Sequence, residues 1–177
     1  MADSSPSERQ LARSIVRAAG EGRVFSLGDA GEAILKVVSD ESAGTMSAYE
    51  FVIPAATAGP PLHLHRNWDE AFYVLEGEMT FLIDGRTSMA AAGSFVFIPR
   101  GIEHTFWNES SAPAKQLTVF TPAGIEAYFE DVTRVMAAAG DDTIEAVTAL
   151  METHDMVVSA STRQAYGALK RPGATTE

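Results

Sequence analysis

The chain has 177 residues, no cysteine, and 13 basic against 24 acidic side chains, for a formal charge of -11. That length supports one domain with a real core, and 46% hydrophobic with 21% charged residues argues against wholesale disorder. The acidic balance argues against nucleic acid or an anionic bilayer as a partner, and the absence of thiol excludes disulfides, thiolate nucleophiles and thiolate metal sites.

Residues 1–6 read as an arm, after which Ser7 and Gln10 match a capping box opening a short helix that ends near Gly20, with Leu11, Ile15 and Val16 on one face. No signal-peptide pattern and no run of about 18 apolar residues is present, so a cytoplasmic protein is expected. From Val24 to about Thr121 come short β-prone runs, "AILKVVS", "SAYEFVI", "AFYVLEGEMTFLI", "SFVFIP", "HTFW" and "QLTVFT", separated by Gly, Pro, Asn and Asp, the texture of a sandwich or barrel. Asp84-Gly85 predicts a two-residue hairpin turn, because both residues tolerate positive φ. Beyond Pro122, Ile125, Phe129, Val132 and Met136 recur at helical spacing, and "DDTIEAVTALMETH" opens a second helix with Asp caps. Both helices are expected on the outside of the barrel, ahead of a polar tail. The expected division is an arm and short helix over 1–23, a barrel over 24–122, and a helical extension with its tail over 123–177.

The chemistry concentrates in "PLHLHRNWDE" and "GSFVFIPRGIEHTFWN". Residues two apart share a face on a strand and not on a helix, so His63 and His65 converge only if their segment is extended, and Pro60 and Pro61 discourage helix there. Two such histidines alone are equally consistent with a metal pair, a hydrogen-bonded core pair or a solvent-facing pair. The first stretch reads H-x-H-x4-E-x6-G through His63, His65, Glu70 and Gly77. The second reads G-x5-P-x-G-x2-H-x3-N through Gly93, Pro99, Gly101, His104 and Asn108. Together they resemble the paired motifs of the cupin superfamily over residues 59–108, with the short intermotif spacing of its small microbial members. One departure is Thr57, where the family has a leading glycine; Gly59 and Pro60 take up the turn instead.

The resemblance implies a mostly β, cupin-type jelly-roll barrel with a short N-terminal helix and C-terminal helices. It implies His63, His65, Glu70 and His104 as ligands of one divalent transition metal, and nitrogen and oxygen donors suit Fe, Mn, Ni, Co, Cu or Zn. An ion of charge 2+ with one carboxylate keeps a formal +1, which favours a small-molecule substrate that is anionic when bound. Phe72, Val74 and Phe106 share strand parity with Glu70 or His104 and are candidate pocket residues, with Met79 and Trp68 behind them. Gly77, Gly93, Pro99, Gly101 and Asn108 are expected to shape turns, and His154 to be an ordinary surface histidine. "TPAGIEAYFEDV" resembles the extension of small cupins grouped with quercetin 2,3-dioxygenases. That implies a dioxygenase acting on an enol or phenolic, flavonol-like molecule, with Glu70 removing the hydroxyl proton. The alternatives are an isomerase, cyclase or lyase using the ion as a Lewis acid, or a non-catalytic small-molecule-binding module. Related small cupins often form dimers, so a homodimer is expected.

Overall fold

The computed structural model describes residues 14–138 and 143–159, and its strands form two antiparallel sheets. The six-stranded sheet runs, in spatial order, β1 (Arg23–Ser26), β2 (Glu32–Val37), β3 (Ser47–Ile53), β10 (Ala114–Thr121), β5 (Asp69–Glu76), β8 (Phe95–Ile98). The five-stranded sheet runs β11 (Met156–Val158), β4 (His63–His65), β9 (His104–Trp107), β6 (Glu78–Ile83), β7 (Arg86–Ala91). Among the described residues three α-helices, α1 (Ser39–Ser42), α2 (Ile125–Ala138) and α3 (Thr143–Thr153), and a 3-10 turn over Gly28–Ala30 complete it. This is the two-sheet jelly-roll architecture expected from the motifs.

Alternation sends one parity of each strand inward. Glu70, Phe72 and Val74 on β5 face Phe81 on β6 and Phe106 on β9, and the Phe72 ring lies 5.1 Å from Phe81 and 5.4 Å from Phe106, edge-on. Asp84 and Gly85 carry φ of 47° and 73° and join β6 to β7 with Ile83 opposite Arg86, the primed hairpin expected.

On β5, β8 and β10 much of the opposite parity of the six-stranded sheet is apolar, where a sheet with one wet face would be polar. Tyr73 and Leu75 on β5 and Phe95 and Phe97 on β8 are exposed, with half-buried Ala71, Leu117 and Val119 on the same face. Register places Tyr73 between Phe95 and Leu117, and Ala71 between Phe97 and Val119, so these seven residues are neighbours.

The C-terminal helices do not coat the barrel's outside. Ile125, Phe129 and Val132 of α2 are buried against the barrel's inner aromatics, with the Phe129 ring 4.7 Å from Tyr49 and 6.0 Å from Phe25. An apolar stripe that includes a phenyl ring needs an apolar counter-surface, and the open end between the sheets supplies it. Glu126 fixes the approach: its carboxylate accepts from the Ser39 amide at 2.8 Å and the Ser47 hydroxyl at 2.7 Å, pinning the first turn of α2 to α1 and β3. Burial pushes its pKa up, and these hydrogen bonds outweigh that and hold it below the usual carboxylate range.

Beyond α3 the chain returns as β11, which pairs with β4 in the register Met156 opposite His65 and Val158 opposite His63. Of the N-terminal helix expected up to Gly20, residues 14–18 carry no regular structure, and Ile15 and Val16 face solvent, so these two form no packing face. Ser7, Gln10, Leu11, the Asp141 and Asp142 caps and the polar tail lie outside the described residues. Among the described residues no helix is long and apolar enough to cross a membrane.

Candidate metal centre and adjoining cavity

The site is assembled across the two sheets. His63 and His65 stand on β4, His63 sits opposite His104 of β9, and Glu70 arrives from β5 in the other sheet. The local chain explains the orientation of two rings. His63 Nδ1 donates to the carbonyl of Pro61 at 2.7 Å and His104 Nδ1 donates to that of Ile102 at 2.9 Å, in each case two residues back. A carbonyl only accepts, so Nδ1 carries the proton in both. The P-x-G-x2-H spacing serves this: Gly101, at φ 85°, donates its amide to the His65 carbonyl at 2.7 Å, while Ile102 closes a turn on Pro99. Asp69 and Arg100 clip the two motifs together from outside, the guanidinium meeting both carboxylate oxygens at 2.8 and 3.0 Å and holding that carboxyl at about 2.

All four side chains are buried, and one donor atom from each lies within 4.8 Å of the others. The imidazole centroids are 4.5 Å apart for His63 and His104, 4.9 Å for His63 and His65, and 5.4 Å for His65 and His104. Oε2 of Glu70 accepts from Nε2 of His104 at 2.9 Å and of His65 at 3.2 Å. Burial pushes the Glu70 carboxyl up, but these two hydrogen bonds outweigh it and bring the pKa to about 2. For His104 burial lowers the pKa, and the bond to Glu70 more than compensates, so its ring is held above the ordinary histidine range. His63, desolvated and next to the other two rings, is pushed well below it. The set fits a divalent cation. Metal–ligand bonds of about 2.0–2.2 Å would bridge this spread with small side-chain shifts, and one buried carboxylate among three imidazoles is an N/O donor set. His65 also leaves Nδ1 buried without a protein partner.

Beside the cluster lies a cavity of about 180 Å³. His63, His65 and Glu70 form its polar end; Tyr49, Phe51, Phe106 and Phe120 form the barrel wall; α2, α3 and β11 form the opposite wall with Phe129, Val132, Met136, Met151 and Met156.

Of the candidate pocket residues, Phe106 lines this cavity. Phe72 and Val74 do not; they point inward as their parity requires but lie fully buried in the core, as does Met79. Trp68 stacks edge-on against His65 at 5.5 Å and Phe120 at 5.8 Å and is not part of the lining. Asn108 ties the loop as expected, its Nδ2 reaching the carbonyls of Pro54 at 2.9 Å and Ala112 at 2.8 Å. His154 is not a free surface histidine: it is half-buried, with Nε2 2.9 Å from the Asp131 carboxylate and its ring against Tyr128. At the departure from the family's first motif, Thr57 pairs with Asn108, and Gly59 is the residue whose lack of side chain is used, because a Cβ there would collide with the Phe106 carbonyl oxygen. Residues that sequence reasoning missed are those of the helical wall and β11. The "MVV" triplet after a His-Asp turn was the available signal for the strand.

A family model described as a cupin domain matches residues 49–120, a span that holds all four cluster residues. An oxidoreductase of Pestalotiopsis fici is 38% identical over 61 residues, which are 34% of this chain and 30% of that protein. A quercetin 2,3-dioxygenase of Bacillus subtilis is 26% identical over 115 residues, 64% of this chain and 32% of that enzyme. The matched stretches thus span under a third of each of these curated relatives. Among solved structures, KdgF from Halomonas sp. superposes with a TM-score of 0.57 at 14% identity over 65% of this chain and 99% of that one, a likeness of fold.

Proposed function

We propose that the chain, whose residues 49–120 match a cupin domain model, is a metal-dependent dioxygenase acting on an enol or phenol. The observation that carries this reading is the meeting of an apolar cavity with the buried cluster: Glu70 belongs to both and is the only carboxylate lining the cavity among the described residues. A divalent ion held by His63, His65, Glu70 and His104 would supply Lewis acidity toward a substrate oxygen and, if redox-active, a path for electrons to dioxygen. The chain's own residues supply the rest. Glu70, which belongs to the cluster and lines the cavity, is placed to accept the substrate's hydroxyl proton, a transfer that needs hydrogen-bond reach. Phe51, Phe106 and Phe129 exclude water and orient the apolar body of the substrate. The oxidoreductase and dioxygenase names of two relatives support the reaction class.

The test is dioxygen uptake by protein reconstituted with Fe, Mn, Co, Ni or Cu, presented with enols and phenols. The expected result is uptake stoichiometric with substrate loss and none without metal. Full turnover under strict anaerobiosis would replace the dioxygenase with Lewis-acid isomerase, cyclase or lyase chemistry. Ligand bound and recovered unchanged with every metal would make the chain a binding module.

The expected homodimer is placed by the same reading on the outer face of the six-stranded sheet, with a second copy as the occupant. Phe95 is 66% and Phe97 58% exposed. With about 150–250 Å² per aromatic, the seven neighbouring residues offer roughly 400–600 Å² of apolar surface, much of the about 800 Å² that each partner of a standard interface buries. The charges bordering it are already paired within the chain, Lys36 with Glu50, Lys115 with Glu76 and Arg100 with Asp69, so the overall charge of -11 is not concentrated there. Sedimentation velocity is expected to give a dimer for the natural sequence and a folded monomer for the double variant Phe95→Glu, Phe97→Glu. A natural chain that is monomeric at tens of micromolar would remove the second copy from this face.

A further inference from the structure

Taking from the proposed function only that the reacting hydroxyl lies at the His63–His65–Glu70 end, we infer that the cavity selects a one-ring molecule carrying no charged substituent away from that end. Size is the first ground. A cavity of about 180 Å³ slightly exceeds the apolar cavity of about 150 Å³ that accommodates benzene, and falls short of the roughly 300–1,000 Å³ of sites for drug-sized ligands. One substituted ring fills it; the three rings of a flavonol exceed it. The substrate therefore differs in size from the quercetin in the name of the Bacillus subtilis relative.

Charge is the second ground, and it is independent of volume. No lysine or arginine lines the cavity among the described residues. The ionisable side chains in its wall are the cluster residues His63, His65 and Glu70 and two tyrosines, Tyr49 and Tyr128. A carboxylate, phosphate or sulfonate on the far side of the ring would lie against Val132, Met136 and Met151 with no cation to meet it, a penalty that disfavours such molecules. The two long walls differ in kind. Phe51, Phe106 and Phe120 face from the barrel, and Met136, Met151 and Met156 face from α2, α3 and β11. Thioethers adapt to and contact an aromatic ring edge, so a planar ring between these walls meets polarisable surface on one side and π faces on the other.

The experiment is calorimetric titration of protein loaded with zinc, which is redox-inert, with three compounds: 4-methylcatechol, the carboxylated ring protocatechuate, and quercetin. The expected order puts 4-methylcatechol at least about tenfold tighter than either of the others, a difference equivalent to about 1.4 kcal/mol. Met151→Trp and, at the half-buried rim of the same wall, Met136→Trp should each weaken 4-methylcatechol at least about tenfold with zinc content unchanged, and Met151→Leu should preserve it. Absence of 4-methylcatechol binding, equal or tighter binding of protocatechuate or quercetin, or indifference to both tryptophan variants would overturn the assignment. Dioxygen uptake is read separately with a redox-active metal. Selective binding without uptake sinks the dioxygenase and leaves the substrate class, whereas uptake with quercetin at undiminished efficiency does the opposite.

Discussion

His65→Ala is expected to reduce metal content from about one equivalent to under about 0.1 after reconstitution and gel filtration, a loss exceeding the 10- to 100-fold that even an outer-shell change costs. The reason is position. His65 shares Oε2 of Glu70 with His104, and its ring lies within 5.5 Å of the His63, His104 and Trp68 rings, so its removal opens the centre of the cluster. Metal analysis alongside a circular-dichroism melt distinguishes loss of a ligand from loss of the fold, and a folded His65→Ala protein that keeps a full equivalent would dismantle the site. Glu70→Gln separates two roles. It preserves shape and part of the hydrogen bonding but removes the charge, so metal affinity falls and any turnover drops about 10²- to 10⁴-fold. Acid should act in the same direction. In the ion-free cluster the bond to Glu70, working against burial, holds the His104 proton above the ordinary range, and a cation must displace that proton. Affinity is therefore expected to fall by about tenfold per pH unit below the raised His104 pKa for each proton displaced, so that the fall already begins above the ordinary histidine range, and to level off only above that raised value.

The four cluster residues were legible because their spacing encodes strand parity and a turn, and both survive in a one-dimensional pattern. His63 and His65 are two apart on β4, and Pro99-x-Gly101 turns the chain so that His104 comes to stand opposite His63. Depth was less accessible. Phe72 and Val74 have the parity of Glu70, yet they lie further into the barrel, where Phe81 and Phe106 fill the space, and parity contains no coordinate along the barrel axis. The helical stripe of α2 was legible too, but a stripe reveals that a face is buried and not what buries it. Placing Phe129 against Tyr49 instead of on the barrel's outer surface takes the Glu126 contacts to Ser39 and Ser47, which join residues 87 and 79 positions apart. The apolar outer face did leave a trace. "AFYVL" and "SFVFI" are apolar at both parities, the pattern of strands buried on two sides.

The helical wall gives the second large effect, because it joins stability to selectivity. Phe129→Ala should cost about 3–5 kcal/mol, the range for truncating a buried phenylalanine. The side chain is 4% exposed and its ring meets three others, those of Phe25, Tyr49 and Tyr128. At about 2–4 °C per kcal/mol for a chain of this size, the thermal midpoint falls by roughly 10 °C, while Phe129→Leu stays within about 1.5 kcal/mol and Val16→Ala, fully in solvent, within about 0.5 kcal/mol. Denaturant unfolding of the three variants measures the differences. A Phe129→Ala protein within about 1 kcal/mol of the natural chain would mean that α2 does not close the barrel. The same ring lines the cavity, so its loss enlarges the space available to ligand next to the methionine wall. Affinity for 4-methylcatechol should then fall as its contacts are lost, while quercetin gains the room that the intact wall denies it. A variant that is destabilised but unchanged in this preference would separate the packing role of α2 from any part in choosing the substrate.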